Sequence, residues 1–299
     1  MVEISSAKET IHNVSVVIPT LGGESLKGTI EQLNHGTIVP KEILICIPDE
    51  DAYKAESHSF PNVRIIKTKC RGQVAQRIEG FKVSSCDFVL QLDDDIIIEK
   101  YCIEYLVELL TSKGENYAIS PSLRFIETGK SAYEVWPSKL KNKIYYCLIN
   151  GKNGYQPGHI TKAGTEIGID PSITKELYYD VEWVPGGCVL HFKKNLILSN
   201  YYPHSGKAYC EDLYQSICLH VMGIKMMISS QAIAYYETPT KNAISFINWL
   251  KFIQGDYKAR NYYIRSCSKS YVRMLIHYTF ISLGYSLKYL TRLLKSLNF

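Results

Sequence analysis

Four short, largely apolar segments constrain the fold of this 299-residue chain more than any other feature. Each has the length of a buried strand, and stretches with helical patterning follow them along the chain. Strands that are apolar on both faces and alternate with helices indicate a mostly parallel sheet covered by helices on both sides. The sequence therefore predicts an α/β fold. The four segments are Val14–Pro19, Ile43–Ile47, Val63–Ile66 and Phe88–Leu92.

Three consecutive carboxylates, Asp93, Asp94 and Asp95, follow the last of these segments. Ligands of open parallel sheets bind beyond the carboxyl ends of the strands, so the aspartates occupy the place where this architecture binds its ligands. Like charges repel, and a frequent reason for gathering them is a hard divalent cation shared with a substrate phosphate. The alternative is an acidic surface turn in which Asp94 or Asp95 caps a helix.

Several protein classes are disfavoured by what the sequence lacks. No GxGxxG follows the first strand and no GxxxxGK[ST] occurs, so phosphates would be held by metal and side chains. The N-terminus has no apolar signal-peptide core. Nine cysteines occur without a CxxC pair, which favours reduced thiols in a cytoplasmic protein. Of these, Cys46 and Cys188 have the surroundings of core residues.

Residues 114–180 have no clear periodicity, and we expect them to form an irregular excursion that covers the site. A helix is predicted from Ala208 to Val221. Two short strands are predicted after it, Lys225–Ile228 and Ala232–Tyr236.

Further motifs follow one another in an order that resembles the family 2 glycosyltransferases with the GT-A fold. The resemblance covers about residues 12–240. It implies a Rossmann-like, mostly parallel sheet with helices on both faces. The motifs in chain order are Pro19-Thr20, Gln73 to Arg77, Asp93-Asp94-Asp95, Gly186-Gly187 and Glu211-Asp212.

The resemblance implies an inverting transfer of a sugar from a nucleotide-diphosphate sugar, with a UDP-sugar as the expected donor. The acceptor would be a saccharide or a lipid-linked saccharide. Mn²⁺ or Mg²⁺ would bridge the two phosphates, held by Asp95. Asp93 would hold the ribose or assist the metal, and Asp94 could take either of those roles.

The donor site implied by the resemblance includes side chains from several loops. Arg77 would add a fixed positive charge near the diphosphate; its alternative is a solvent-facing helix arginine. Asp49 or Asp51 would stand for the acidic pair that reads the base in this family, although the register is shifted. The remaining donor-binding residues are Pro19, Thr20, Gln73, Asp93, Asp94, Gly186 and Gly187.

Inversion needs a base that removes the proton of the acceptor hydroxyl, and Asp212 is the candidate, with Glu211 as second choice or as an acceptor ligand. The alternative is that both acids merely stabilise the first turn of a helix through its dipole. Trp183 would stack on a sugar or base of the substrates, or else pack in the core.

The C-terminal segment, residues 241–299, differs in charge from the rest. It holds ten of the 34 Lys and Arg residues and one of the 29 acids. Apolar residues recur there at helical spacing beside cations and tyrosines. This pattern predicts a helical, amphipathic extension that binds an anionic membrane surface from the cytoplasmic side. A helical hairpin packed on the catalytic domain, an oligomer contact and a nucleic-acid patch are the alternatives, and no nucleic-acid partner is expected.

Two other functions fit parts of the sequence. Nucleotidyl transfer also uses carboxylates, a metal and a Rossmann-like sheet, but it would not need Asp212. A membrane-surface binding module without activity would keep the C-terminal helices and lose metal-dependent nucleotide binding.

Overall fold

A computed structural model describes residues 13–57, 60–133, 139–171, 176–204, 207–236 and 245–297, with side chains up to 291. The chain divides into two compact units. We call Met1–Ala132 with Asp170–Lys241 the sheet unit, and Tyr133–Ile169 with Asn242–Phe299 the helical unit. Residues 133–169 thus group with the C-terminal helices, although the sequence placed them with the first domain.

The N-terminal half of the sheet is parallel, as predicted. Its strands run in the order β3-β2-β1-β4. Because parallel strands end at the same edge, the loops after β1 and β4 lie side by side. The bounds are β1 Val14–Pro19, β2 Glu42–Pro48, β3 Val63–Thr68 and β4 Phe88–Leu92.

The sheet continues beyond β4 with mixed strand directions. Strand β8 is antiparallel to β4, β6 is antiparallel to β8, and β9 is parallel to β6. Strands β5 and β7 each pair antiparallel with β9. The bounds are β5 Ile96–Ile98, β6 Tyr117–Phe125, β7 Tyr178–Val181, β8 Cys188–Phe192 and β9 Lys225–Tyr236.

Two predictions about this half of the sheet are corrected. The region 114–180 is not wholly irregular, because it contains the central strand β6, whose polar Ser120 and Ser122 are buried and hide its strand pattern. The two short strands predicted after residue 224 are one strand, β9. Its pairing with β6 shifts register between Ile228 and Ile233, where the sequence suggested a break.

Helices cover the sheet with their apolar faces. Helix α2, for example, buries Val74, Ile78 and Phe81, and Phe81 packs against Val17 of β1. Cys46 and Cys188 are fully buried, as expected of core residues. The helices of the sheet unit are α1 Leu26–Asn34, α2 Gln73–Val83, α3 Cys102–Lys113 and α5 Glu211–Val221.

The helical unit consists of α4 (Leu140–Asn150), α6 (Phe246–Ser266) and α7 (Tyr271–Leu297), with a short hairpin around Gly164. Arg260 of α6 joins these parts, since it binds Asp256 of the same helix and Glu166 of the hairpin. Among the helices that the structure describes, none combines the length and the apolar character that crossing a bilayer requires.

Candidate active site

A cavity of about 740 Å³ opens at the carboxyl edge of the parallel strands. Its wall includes six residues predicted for the donor and metal sites: Pro19, Thr20, Gln73, Asp93, Asp94 and Asp95. The sheet explains why they meet. Strands β1 and β4 are parallel neighbours, so the loop after Pro19 lies beside the loop after Leu92, and α2 begins at the same edge.

The three aspartates have different surroundings. Asp94 accepts a hydrogen bond from the Thr20 hydroxyl. Asp93 accepts two through the same oxygen, from Gln73 Nε2 at 2.8 Å and Arg77 Nη2 at 3.1 Å. Asp95 is the exposed member and faces the cavity. The side chains therefore range from a partly buried, ion-paired carboxylate to one that is exposed to solvent.

Antiparallel pairing of β4 with β8 brings the Gly186-Gly187 turn opposite the aspartates. Leu92 pairs with Cys188, and the Asp93 amide donates to the Gly187 carbonyl at 2.8 Å. A Cβ on Gly187 would lie 2.6 Å from Ile96 Cδ1 and 3.1 Å from Asp93 Oδ2. The turn can approach the acidic loop this closely only because it has no side chains.

The same turn holds the predicted base. The Gly186 amide donates to Asp212 Oδ1 at 2.8 Å. A Cβ on Gly186 would lie 2.7 Å from that oxygen and 2.8 Å from Glu211 Oε2. Both acids of the first turn of α5 are therefore packed against the glycine turn, which fixes the position of the Asp212 carboxylate relative to Asp93.

A buried ion network lies behind the cavity wall. Arg77 is 1% exposed and binds both Asp93 and Glu211, and the Tyr201 hydroxyl donates to Glu211 Oε1 at 2.8 Å. Burial raises the pKa of Asp93 to about 6 against the attraction of Arg77. Burial alone would lower the pKa of Arg77, but Glu211, Tyr201 and Asp93 together outweigh it and raise that pKa.

The structure places four predicted residues differently from the expectation. Arg77 does not face the diphosphate position but neutralises the buried Glu211 and the partly buried Asp93. Glu211, the second choice as base, is held in an ion pair with Arg77. Trp183 is 2% exposed and so packs in the core, without a face for stacking. Asp49 points to solvent and pairs with Lys67 at 3.5 Å, away from the cavity wall.

Two cations on the cavity wall were not predicted. Arg71 lies two residues before the start of α2, and its guanidinium binds Asp51 at 2.8 Å and Glu50 at 3.2 Å. A basic residue in a loop at the ligand-binding edge was the available signal for Arg71. Lys207 lines the same cavity from the loop before α5. No pattern in the sequence marks Lys207, because it is brought to the wall by chain distant in sequence from the aspartates.

The site suits a divalent cation that is held by one or two carboxylates and shared with a substrate phosphate. Among the described residues, no three His, Cys, Asp or Glu side chains are grouped so that they alone could hold a metal ion. The donors that the cavity offers are hard carboxylate oxygens. Mg²⁺ and similar ions are commonly held by one or two carboxylates together with substrate phosphates and water. Asp95 and its neighbours suit a cation that arrives with a diphosphate.

A mixed α/β sheet with an acidic loop after its fourth strand, facing a cavity and a second acidic helix start, is the architecture of the GT-A glycosyltransferases. The sequence comparison agrees, since residues 15–161 match the model of glycosyl transferase family 2. The match covers just under half of the chain and assigns residues 15–161 to glycosyl transferase family 2, and the sheet unit has a GT-A-like fold. No curated protein matches the sequence.

Two solved structures are similar to this chain, and the first of them supports the fold. The crystal structure of GalNAc-T7 with UDP, GalNAc and Mn²⁺ has a TM-score of 0.55 and 17% identity, over 86% of this chain and 51% of that one. Staphylococcus aureus TarS 1–349 in complex with UDP-GlcNAc has a TM-score of 0.49 and 13% identity, over 78% of this chain and 62% of that one. The chain thus spans about half the length of the GalNAc-T7 structure.

Proposed function

We propose that this chain transfers a sugar from a nucleoside-diphosphate sugar to a saccharide or lipid-linked saccharide, with inversion at the anomeric carbon. A UDP-sugar is the expected donor, and the inner face of the cell membrane is the expected place of action. One observation carries the proposal. Asp93, Asp94 and Asp95 share a cavity of about 740 Å³ with two cations, Arg71 and Lys207, a combination that suits a diphosphate and its metal.

The donor side depends on charge. Asp95, with Asp93 beside it, would hold Mn²⁺ or Mg²⁺, and such a cation supplies positive charge that stabilises the departing diphosphate. Arg71 and Lys207 are the cations of the cavity wall and would bind phosphate oxygens. GalNAc-T7, which has a similar fold, was crystallised with UDP and Mn²⁺, and this supports the choice of ligands.

The acceptor side depends on Asp212. In the proposed step, the acceptor hydroxyl oxygen forms a bond to the anomeric carbon while the bond from that carbon to the diphosphate breaks. The hydroxyl proton passes to the Asp212 carboxylate. The Gly186 amide orients this carboxylate, and the ion pair of Arg77 with Glu211 holds the first turn of α5 in place. Arg77 and Glu211 would therefore position the base without touching the substrate.

A thermal-shift measurement tests the donor side. UDP together with Mn²⁺ should raise the midpoint of unfolding, because a ligand of the folded state alone stabilises it. Asp95→Asn should abolish the metal-dependent part of the shift, whereas Asp49→Asn, a matched change outside the cavity wall, should keep it. If UDP with Mn²⁺ causes no shift, the donor assignment is wrong.

Product analysis tests the reaction type. With a UDP-sugar and an acceptor, the enzyme should release UDP, and Asp212→Asn should lose at least about a hundredfold in kcat while UDP binding persists. Release of pyrophosphate would instead indicate nucleotidyl transfer. Unchanged kcat in Asp212→Asn would exclude this residue as the base.

A further inference from the structure

Helix α7 presents a row of large apolar side chains to solvent. We name this row the α7 stripe; Val272 and Leu287 are 66% exposed, Leu283 59% and Leu290 54%. At roughly 100° per residue, its members fall within one arc of about 140° on the helix. They are Val272, Leu275, Phe280, Leu283, Leu287 and Leu290.

The opposite face of α7 is already occupied within the helical unit. Met274 is fully buried there, and Tyr278 is buried with its hydroxyl hydrogen-bonded to Asp256 of α6. His277 binds the Tyr145 hydroxyl of α4 at 2.7 Å. Within the arc of the stripe, Ile276 packs against the apolar cluster of the unit, and Phe280 contacts the Tyr145 ring with centroids 5.5 Å apart. The other members of the stripe are left for a partner outside the unit. An exposed apolar row of this size usually marks an interaction surface.

The charges around the stripe indicate what that partner is. Over the described side chains 245–291, the single acid is Asp256, which is buried and bound to Arg260. The exposed charges of α6 and α7 over the same range are the cations Lys251, Lys258, Arg265 and Lys288. A surface that combines exposed apolar side chains with cations and no exposed carboxylate is complementary to anionic lipid.

Aromatic side chains of α6 and α7 lie against one another near the start of α6. The rings of Trp249 and Tyr285 stack with centroids 4.2 Å apart, and Phe246 packs beside Tyr289 at 6.0 Å. Phe246 and Tyr289 are both partly exposed. Trp and Tyr favour the headgroup layer of a bilayer, where an apolar ring and a polar atom are both accommodated. This cluster therefore suits the same partner as the stripe.

We propose that the α7 stripe binds the surface of an anionic lipid bilayer, with α7 lying along the interface and the exposed cations of α6 and α7 attracting anionic headgroups. The proposal deepens the proposed function, on which it rests for the lipid-linked acceptor, by naming the surface that brings the enzyme to it. Binding to lipid itself requires no catalysis, so the two proposals can fail separately.

Co-sedimentation of the full chain with vesicles tests the proposal. The protein should bind vesicles that contain phosphatidylglycerol far more strongly than vesicles of phosphatidylcholine alone. Raising the salt from about 0.1 M to about 1 M should weaken this binding, because the Debye length falls to about a third. The double variant Leu283→Glu/Leu287→Glu should bind at least about tenfold more weakly, since it places two anions in the stripe.

A matched control separates the stripe from general effects of charge. Leu198→Glu/Val221→Glu makes the same chemical change at two exposed apolar positions of the sheet unit, and should bind vesicles like the original protein. Circular dichroism should show both variants folded. Failure of the original protein to bind anionic vesicles, or equal binding by the stripe variant, would overturn the proposal. Self-association that the stripe variant abolishes, without vesicle binding, would assign the stripe to a second copy of the chain.

Discussion

Arg77 shows how a single residue can serve a site without facing its substrate. Its guanidinium is buried behind the aspartate loop and joins Asp93 after β4 to Glu211 at the start of α5. A buried cation flanked by two carboxylates is tolerated only while all partners are present, because an unpaired buried charge is costly. The residue therefore links the donor loop to the helix that carries the predicted base.

Replacing Arg77 with Met should destabilise the protein by about 3–5 kcal/mol, since it leaves the buried Glu211 and the partly buried Asp93 without their cation. Arg77→Lys should cost less, because the charge remains and only the forked geometry is lost. Urea unfolding measures both. Lys27→Met, which removes an exposed cation of α1, should change stability by less than about 0.5 kcal/mol. A comparable loss in Arg77→Met and Lys27→Met would contradict the assigned role.

His191 makes the stability of the sheet unit depend on pH. It lies on β8, 2% exposed, and neither ring nitrogen has a hydrogen-bond partner among the described residues. Burial, followed by the repulsion of Arg77, lowers its pKa to about 3. In the unfolded chain the imidazole takes up a proton near its ordinary pKa, about 6.5. Above that pKa the imidazole is neutral in both states. As the pH falls below it, only the unfolded chain takes up the proton, so the free energy of unfolding decreases.

His191→Phe should consequently lose less stability on acidification than the original protein, by about 2 kcal/mol between about pH 7 and pH 5. The measurement is the free energy of unfolding at several pH values. His220→Phe, at an exposed histidine of α5, serves as the control and should keep the original pH dependence. Identical pH profiles for His191→Phe and the original protein would show that the imidazole is not neutral and buried.

Among the elements, the contact between the β8 turn and α5 decides the geometry of the site. Gly186 and Gly187 lie between Asp93 on one side and Asp212 on the other, within van der Waals distance of both acids. Beneath them, the amides of Gln91 and Gln215 bind each other reciprocally, at 2.9 and 2.6 Å, and join β4 to α5. The strand, the turn and the helix thus form one rigid support for the carboxylates.

Gly186→Ala should displace Asp212, because the new Cβ would meet its Oδ1 at 2.7 Å. We expect loss of sugar transfer by at least about tenfold, because the Asp212 carboxylate would no longer be correctly positioned. Gly28→Ala is the matched control, because its Cβ would meet no atom within 4 Å and helix α1 favours alanine. Full activity in Gly186→Ala would disprove the tight packing of this turn.

For the molecule as a whole, the structure assigns two separated segments to the helical unit. Residues 133–169 form its core together with the C-terminal helices: Ile149, Ala163 and Ile167 are buried in one cluster, against which Ile276 of α7 packs. An apolar cluster that loses part of its cover becomes exposed to water, which costs roughly 25 cal/mol per Å². The segment 133–169 therefore needs α6 and α7 to stay folded.

Removing residues 242–299 tests this dependence. In the shortened chain, limited proteolysis should cut within 133–169, while the strands Val14–Phe125 of the sheet unit stay protected. In the full chain, both regions should resist cleavage. Mass spectrometry of the fragments distinguishes the outcomes. Protection of 133–169 without the C-terminal helices would show that this segment folds with the sheet unit instead.

The sequence by itself determined the parallel half of the sheet and the acidic loop at its edge. The segments ending at Pro19 and Leu92 are apolar throughout nearly their whole length, and such strands have few alternatives to a covered parallel sheet. Once that sheet is accepted, the carboxyl edge is the ligand site, and Asp93, Asp94 and Asp95 fall there by topology. These inferences depend only on neighbours in sequence.

Only the tertiary structure decided what the individual charges do. Arg77 and Glu211 are 134 positions apart. Their pairing follows from the antiparallel pairing of β8 with β4, which no local sequence pattern predicts. The same holds for strand β6, whose buried serines find their place only within the sheet. Periodicity in the sequence indicates which residues are buried. Partners distant in sequence decide which charges neutralise each other and which remain for a substrate.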